Sequence, residues 1–315
     1  MKFKRSVIIM MMLFLLGSCS LMPNKADEKK QAEASEYMPI QDYTGQGYSF
    51  DNGEETGKFA NQHRKQIVQR VKQYFIQKYH LDITVHHIYG ATDAAVVFVE
   101  SKKDPKFHTS VIVGIDLENK KIGDVGAYEG SVEGAITTGL YVMAYEKEFQ
   151  KLDEFCEEMA KKYAVTGMMQ EAVNNTVDTG YATRFYYTST SDIDYPQVYK
   201  TFLAHPHLSK QRAKELVLER QSSKDFNAEK DSISIALTFY MKMRNQAPDQ
   251  KIADQIIEAL KKAGGLPPGN YGVFVNSNEI LKRTGTEKSY KGTTTGVDDI
   301  IIKPGRRIKM KGAVQ

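Results

Sequence analysis

The side chains in this 315-residue chain whose types and spacing could do chemistry are two cysteines, seven histidines and a run of polar aromatics. Cys156 falls in the series Leu152, Cys156, Met159, Tyr163, a helical stripe, and reads as a buried, inert thiol rather than a nucleophile. His86 and His87 are neighbours in a strand-like segment, so they point to opposite faces and cannot share one site. His205-Pro206-His207 is better spaced for a metal, but no cysteine or carboxylate cluster accompanies it, and zinc requires three or four ligands. No metal and no cofactor is therefore expected. Gly53-Glu54-Glu55-Thr56-Gly57-Lys58-Phe59 resembles a phosphate loop only superficially. It has one residue too few between its glycines, and Phe59 stands where a metal-binding hydroxyl belongs. There is no Gly-x-Ser-x-Gly elbow and no Ser-x-x-Lys pair. Asp192 and Asp194 flank Ile193 ahead of a helical stretch, where acids cap the helix and complement its dipole. No catalytic residue is assigned.

The candidate ligand surface is the run Tyr181, Phe185, Tyr186, Tyr187, Tyr195 and Tyr199. A tyrosine offers a flat apolar face and a hydroxyl, which suits sugars, peptides or cell-wall polymer. The competing reading puts alternate residues in the core and the rest at a sheet edge. Gly264-Gly-Leu-Pro-Pro-Gly-Asn-Tyr-Gly272 reads first as a turn cluster and second as a ligand loop.

Cys19 belongs to a different chemistry. Lys2, Lys4 and Arg5 precede the apolar run Val7–Leu16, which is half the roughly 20 residues a membrane-crossing helix needs. A basic start, a short apolar middle and a small-residue end describe a signal peptide over 1–18. Leu16-Gly17-Ser18-Cys19 resembles the lipobox of bacterial lipoproteins. That resemblance implies a diacylglycerol thioether on Cys19, cleavage before it and acylation of the new amino group (S-diacylglycerol and N-acyl cysteine). Two or three acyl chains anchor stably, whereas one does not. With Cys19 modified, Cys156 is the one remaining thiol and no intramolecular disulfide can form.

Charge adds little. The whole chain carries +4, and removal of the three signal-peptide cations leaves +1. Residues 282–315 hold nine Lys/Arg against three Asp/Glu, so the folded body is net acidic and is not built to bind nucleic acid. The basic tail could instead lie on an anionic membrane or wall polymer, with a solvated extension as the plainer reading.

The elements that would position these residues follow from periodicity. Residues 19–47 are polar and read as a lipidated, flexible tether. Phe59, His63, Ile67, Val71 and Phe75 recur every four residues, which predicts an amphipathic helix over 57–79. Segments 83–89, 94–100 and 107–116 are rich in β-branched and aromatic residues and predict strands, with a fourth near Ile122. Residues 132–163 predict two helical pieces. Past Gly167 a second set appears: helices at 168–175, 195–204, 209–220 and 248–263, and strands at 183–189, 232–241 and 271–275. The expected fold is α+β. Two packed subdomains, 48–165 and 166–281, would carry mainly antiparallel sheets covered by helices, followed by a loose basic tail over 282–315.

The blocks MPIQDYTGQGYSF (38–50), TDAAVVFVES (92–101), GLYVMAYEKEFQKLDEF (139–155) and GLPPGNYGVFVNSNEILKRTG (265–285) resemble a family of uncharacterised lipoproteins of Gram-positive bacteria, of staphylococcal and bacillus types. The resemblance implies an anchor at Cys19 and a place on the outer face of the cytoplasmic membrane. It implies no reaction. The expected function is a non-catalytic surface module that binds a protein, peptide or envelope polymer. A transporter's receptor subunit would need two doubly wound lobes, and an envelope hydrolase would need several polar side chains converging in one cleft.

Overall fold

The computed structural model describes residues 36–191, 193–288 and 294–303. The signal segment, Cys19, Asp192 and the basic residues beyond Lys303 lie outside the described residues. The fold is α+β, with helices packed on mixed sheets.

The strands are β1 (Tyr37–Pro39), β2 (Ile83–Ala91), β3 (Ala94–Ser101), β4 (His108–Asp116), β5 (Lys121–Gly126), β6 (Val165–Thr166), β7 (Thr179–Ala182), β8 (Tyr186–Ser189), β9 (Ser234–Met241), β10 (Gly269–Asn276), β11 (Glu279–Leu281), β12 (Thr286–Glu287) and β13 (Thr294–Ile302). The helices are α1 (Glu54–Gln62), α2 (Arg64–Tyr79), α3 (Ser131–Ala144), α4 (Glu146–Lys162), α5 (Gln170–Thr176), α6 (Pro196–Ala204), α7 (Lys210–Gln221) and α8 (Gln250–Lys262). The helix expected over 57–79 starts earlier and breaks at His63. That residue closes α1 and opens α2, its Nδ1 lying 2.9 Å from the Phe59 carbonyl oxygen and its ring stacked on Phe59. Its apolar stripe is buried as the spacing requires: Phe59, Ile67, Val71 and Phe75 all face the core. Each such side chain contributes roughly 1.5–3 kcal/mol.

One sheet runs β13-β10-β9-β8-β7-β4-β3-β2, with β5 beside β4 and β6 beside β9. Its pairings are antiparallel except β9 with β10, which α8 joins as a parallel crossover. The stretches 48–165 and 166–281 therefore share one sheet and one hydrophobic core rather than owning two. The join is short: His108 pairs with Gly180 and Thr109 with Thr179. Gly167, where the second set of elements begins, sits at a chain crossing. A Cβ there would stand 2.3 Å from the Arg184 carbonyl oxygen, so glycine permits a close chain crossing. α3 contacts β4, β7 and β8 as well as α6 and α7, and is buried along nearly its whole length. Such a helix must be apolar on nearly every face, as this one is beyond Ser131 and Glu133 in its first turn.

Two expectations about the ends are corrected. Residues 37–47 are not part of a free tether: Ile40 and Tyr43 are fully buried against Tyr240 and Ile280, and β1 pairs with β11. The strap is stitched down by Ile40 N–H to the Asn278 carbonyl (2.9 Å), the Tyr43 hydroxyl to the Lys282 carbonyl (3.0 Å) and Asn278 Nδ2 to Gln41 Oε1 (2.9 Å). Nor does 294–302 belong to a loose tail, because β13 adds an edge strand to the large sheet and buries Ile300. In both places a few apolar side chains sit in polar surroundings, and their partners are more than a hundred residues away or across a strand pairing. Local composition cannot reveal either.

His108, at the join, is buried, and its Nε2 meets Asn174 Oδ1 at 3.1 Å while Nδ1 has no partner among the described residues. Burial holds its pKa below the ordinary histidine value, because a proton on Nδ1 would be a buried charge without an acceptor. A histidine depressed in the folded state contributes stability that is whole above the unfolded pKa, about 6.5, and is lost as pH falls. Glu100 beside it is held low, chiefly by its hydrogen bond to His86, and stays ionised through that window. Urea midpoints should therefore drop between pH 7.5 and 5.5, by no more than about 1.4 kcal/mol per unit. His108→Gln should flatten the drop, and an equal drop in the variant would assign it elsewhere.

Candidate functional site

A cleft of about 880 Å³ opens between the end of the strap, the start of α1 and β2. Its position is set by glycine. A Cβ on Gly90 of β2 would stand 2.0 Å from the Gly53 carbonyl oxygen and 2.3 Å from the Gly57 amide nitrogen. The first turn of α1 thus lies backbone to backbone on β2, and the spacing that mimicked a phosphate loop serves helix-on-strand packing. Gly45 (φ +106°) and Gly47 (φ +78°) let the strap turn above it, a backbone conformation that favours glycine.

The cleft's apolar wall is aromatic. Tyr48 lies 4.8 Å from Tyr89 and edge-on to Phe50 at 5.6 Å, and His87 stacks on Tyr89 at 4.1 Å. Burial pushes the Tyr48 hydroxyl up to about 12 and raises Tyr89 further, so both stay protonated donors. Although its residue is exposed, His87 is held below the ordinary histidine pKa, first by desolvation where its ring stacks on Tyr89 and then by the Arg64 charge. The Tyr89 side chain is 8 % exposed, and its hydroxyl has no hydrogen-bond partner among the described residues. Around this wall lie Gln46, Asp51, Asn52, Glu54, Glu55, Asn61, Lys58 and Arg283. Arg283 pairs with Asp51, and Lys58 with Glu55 at 2.8 Å. Flat rings beside amide and carboxylate groups fit a polyhydroxylated ligand, the rings taking its apolar face and the rim its hydroxyls.

A second cleft, about 980 Å³, lies at the start of α3 and is lined by Ser189, Thr190, Ser191, Ser232 and Ser234. Its main acid is committed: Glu133 accepts from the Tyr79 hydroxyl at 2.7 Å and pairs with Lys78 at 3.4 Å.

The residues singled out by sequence are mostly elsewhere. Phe185, Tyr186 and Tyr195 are core, Tyr181 and Tyr199 are partly buried, and Tyr187 is about a third exposed, so the run forms no continuous surface. Tyrosine hydroxyls made these residues look like surface, but the core satisfies them: Tyr186 donates to Asp153 Oδ1 at 2.8 Å. His86 pairs with Glu100 at 3.0 Å, while His205 and His207 are exposed. No group of three metal-competent side chains occurs among the described residues. Cys156 is fully buried and burial raises its pKa, which keeps it a thiol. Asp194 accepts from the Ser191 amide and the Thr190 hydroxyl, each at 3.2 Å. The turn at 264–272 is tied by Tyr141 to the Pro268 carbonyl (2.8 Å) and Tyr271 to that of Pro267 (2.6 Å). The cleft residues Tyr48, Phe50 and Tyr89 escaped sequence reading because two helices, α1 and α2, separate the first two from the third along the chain. The block 38–50 was their one local signal.

Comparison with known proteins agrees with this fold. A crystal structure of a family member from Staphylococcus aureus subsp. aureus Mu50 superposes with a TM-score of 0.68 at 20 % identity, covering 83 % of this chain and 97 % of that one. That likeness shows the fold. No curated protein matches the chain. The family profile described as "Protein of unknown function (DUF1672)" matches residues 30–303, and the chain belongs to that family.

Proposed function

We propose that the protein is a lipid-anchored, extracytoplasmic binding module that holds a glycan of the cell envelope in the cleft between the strap, α1 and β2. The observation that carries the reading is the wall of Tyr48, Phe50 and Tyr89 beside a polar rim. The anchor part rests on Lys2, Lys4, Arg5, the apolar run and Leu16-Gly17-Ser18-Cys19. No described helix is long and apolar enough to cross a membrane, so attachment is assigned to the acyl chains on Cys19.

Sedimentation of the chain from Ser20 onward with purified cell-wall glycan tests the binding part. The intact chain is expected in the pellet, and Tyr48→Ala should weaken binding about tenfold, the loss of one aromatic contact. His87→Ala, on an exposed side chain, guards against a merely unfolded variant. An intact chain left in the supernatant, or a Tyr48→Ala chain that pellets equally, removes the reading. For the anchor, Cys19→Ala should leave an uncleaved precursor free of lipid label, and normal labelling would end that part.

A further inference from the structure

Asn52-Gly53 is the one Asn-Gly step in the 315-residue sequence, and it lines the cleft beside α1. An asparagine side chain carries a carbonyl carbon that the next residue's backbone nitrogen can reach, closing a succinimide ring. A side chain on that next residue obstructs the approach, and glycine has none. The turn presents both partners. Asn52 is exposed in the left-handed region (φ +54°), and its Nδ2 reaches Thr92 Oγ1 at 3.4 Å, a long hydrogen bond. The Gly53 amide, just ahead of the first turn of α1, donates no hydrogen bond among the described residues. Little hydrogen bonding therefore has to break before the nitrogen meets the carbon. Asn245 supplies the contrast: it too is exposed and left-handed (φ +57°), but Gln246 follows it. Asn276 and Asn278 are buried.

We propose that Asn52 is a self-modification site on the cleft wall, where the chain loses ammonia and acquires an acid. The Gly53 nitrogen loses its proton and bonds to Asn52 Cγ. The Cγ–Nδ2 bond breaks, and the amino group takes up a proton and leaves as ammonia. Water then opens the ring at one of its two carbonyl C–N bonds. Opening at Cγ gives aspartate. Opening at the Asn52 backbone carbonyl gives isoaspartate, with the side-chain methylene now inside the main chain. The second product has the larger consequence, because the Gly53 carbonyl oxygen has no slack: it would stand 2.0 Å from a Cβ on Gly90. A longer main chain just before it shifts the first turn of α1 against β2, and the cleft wall with it. The chemistry needs only water and this turn, so it stands or falls apart from the glycan reading.

The test holds the chain from Ser20 onward, folded, at mildly alkaline pH and follows its tryptic peptides by mass. The peptide 31–58 contains no asparagine besides Asn52. Its amide-to-acid mass gain is expected to run about tenfold faster than that of the peptide holding Asn245, a ratio equal to about 1.4 kcal/mol in barrier height. Labelling by an isoaspartyl methyltransferase should rise with it, and the urea midpoint should fall. Asn52→Gly suits the left-handed turn; it should show no gain in this peptide and keep its midpoint through the same incubation. Equal rates at Asn52 and Asn245 overturn the proposal. A fast gain seen only in urea-denatured chain also overturns it, because the native turn then keeps nitrogen and carbon apart. Isoaspartate formed without any fall in midpoint relative to Asn52→Gly overturns the shift of α1.

Discussion

Gly90→Ala is expected to destabilise the fold by more than about 3 kcal/mol, at or beyond the upper end for overpacking, because the new methyl meets backbone rather than a yielding side chain. The Cβ would stand 2.0 Å from the Gly53 carbonyl oxygen, 2.3 Å from the Gly57 nitrogen and 2.7 Å from the Gly57 Cα. The first turn of α1 would have to lift off β2, and the cleft would open with it. Gly57→Ala is the informative contrast. Its nearest neighbour would be the Gly90 nitrogen at 3.4 Å, and alanine is the better helix former, so stability should hold or rise by up to about 1 kcal/mol. Gly126→Ala meets nothing within 4 Å and should stay within about 0.5 kcal/mol. Urea unfolding of the three variants is the measurement. A Gly90→Ala chain as stable as Gly126→Ala would mean that α1 does not pack on β2 as described.

Tyr195→Ala should cost about 3–5 kcal/mol, the range for removing a buried aromatic side chain. Tyr195 is 1 % exposed, packs on Tyr141 at 5.5 Å, and its hydroxyl accepts from Gln221 Nε2 at 3.5 Å. Tyr186→Ala should cost as much and also strip Asp153 of its hydroxyl donor, a carboxylate whose pKa burial already raises. Tyr187→Ala, on a residue about a third exposed, should cost about 1 kcal/mol. Denaturant midpoints and wall binding, measured together, separate the two roles of this aromatic run. Stable Tyr186→Ala and Tyr195→Ala chains that had lost binding would restore the run as a ligand surface and move the site away from α1.

The sequence by itself determined the local elements. Apolar residues every four positions made α2, and the β-branched segments made β2, β3 and β4 close to their expected limits. Ser209 and Asp249 cap α7 and α8, accepting from the Arg212 and Lys251 amides. These features are legible because the period of burial and the chemistry of a helix end are properties of neighbouring residues. Tertiary structure decided what those neighbours cannot report. Whether a tyrosine is wall or core depends on the partner its hydroxyl finds, and Asp153 and the Pro268 carbonyl lie far along the chain from Tyr186 and Tyr141. Whether residues 37–47 hang free depends on Asn278 and Ile280, and whether 294–302 is a strand depends on β10. The cleft itself joins residues 45–58, 87–90 and 283, and it exists because three glycines let two backbones touch. A glycine's vacancy has no periodicity, and its meaning appears only when the opposing backbone is in place.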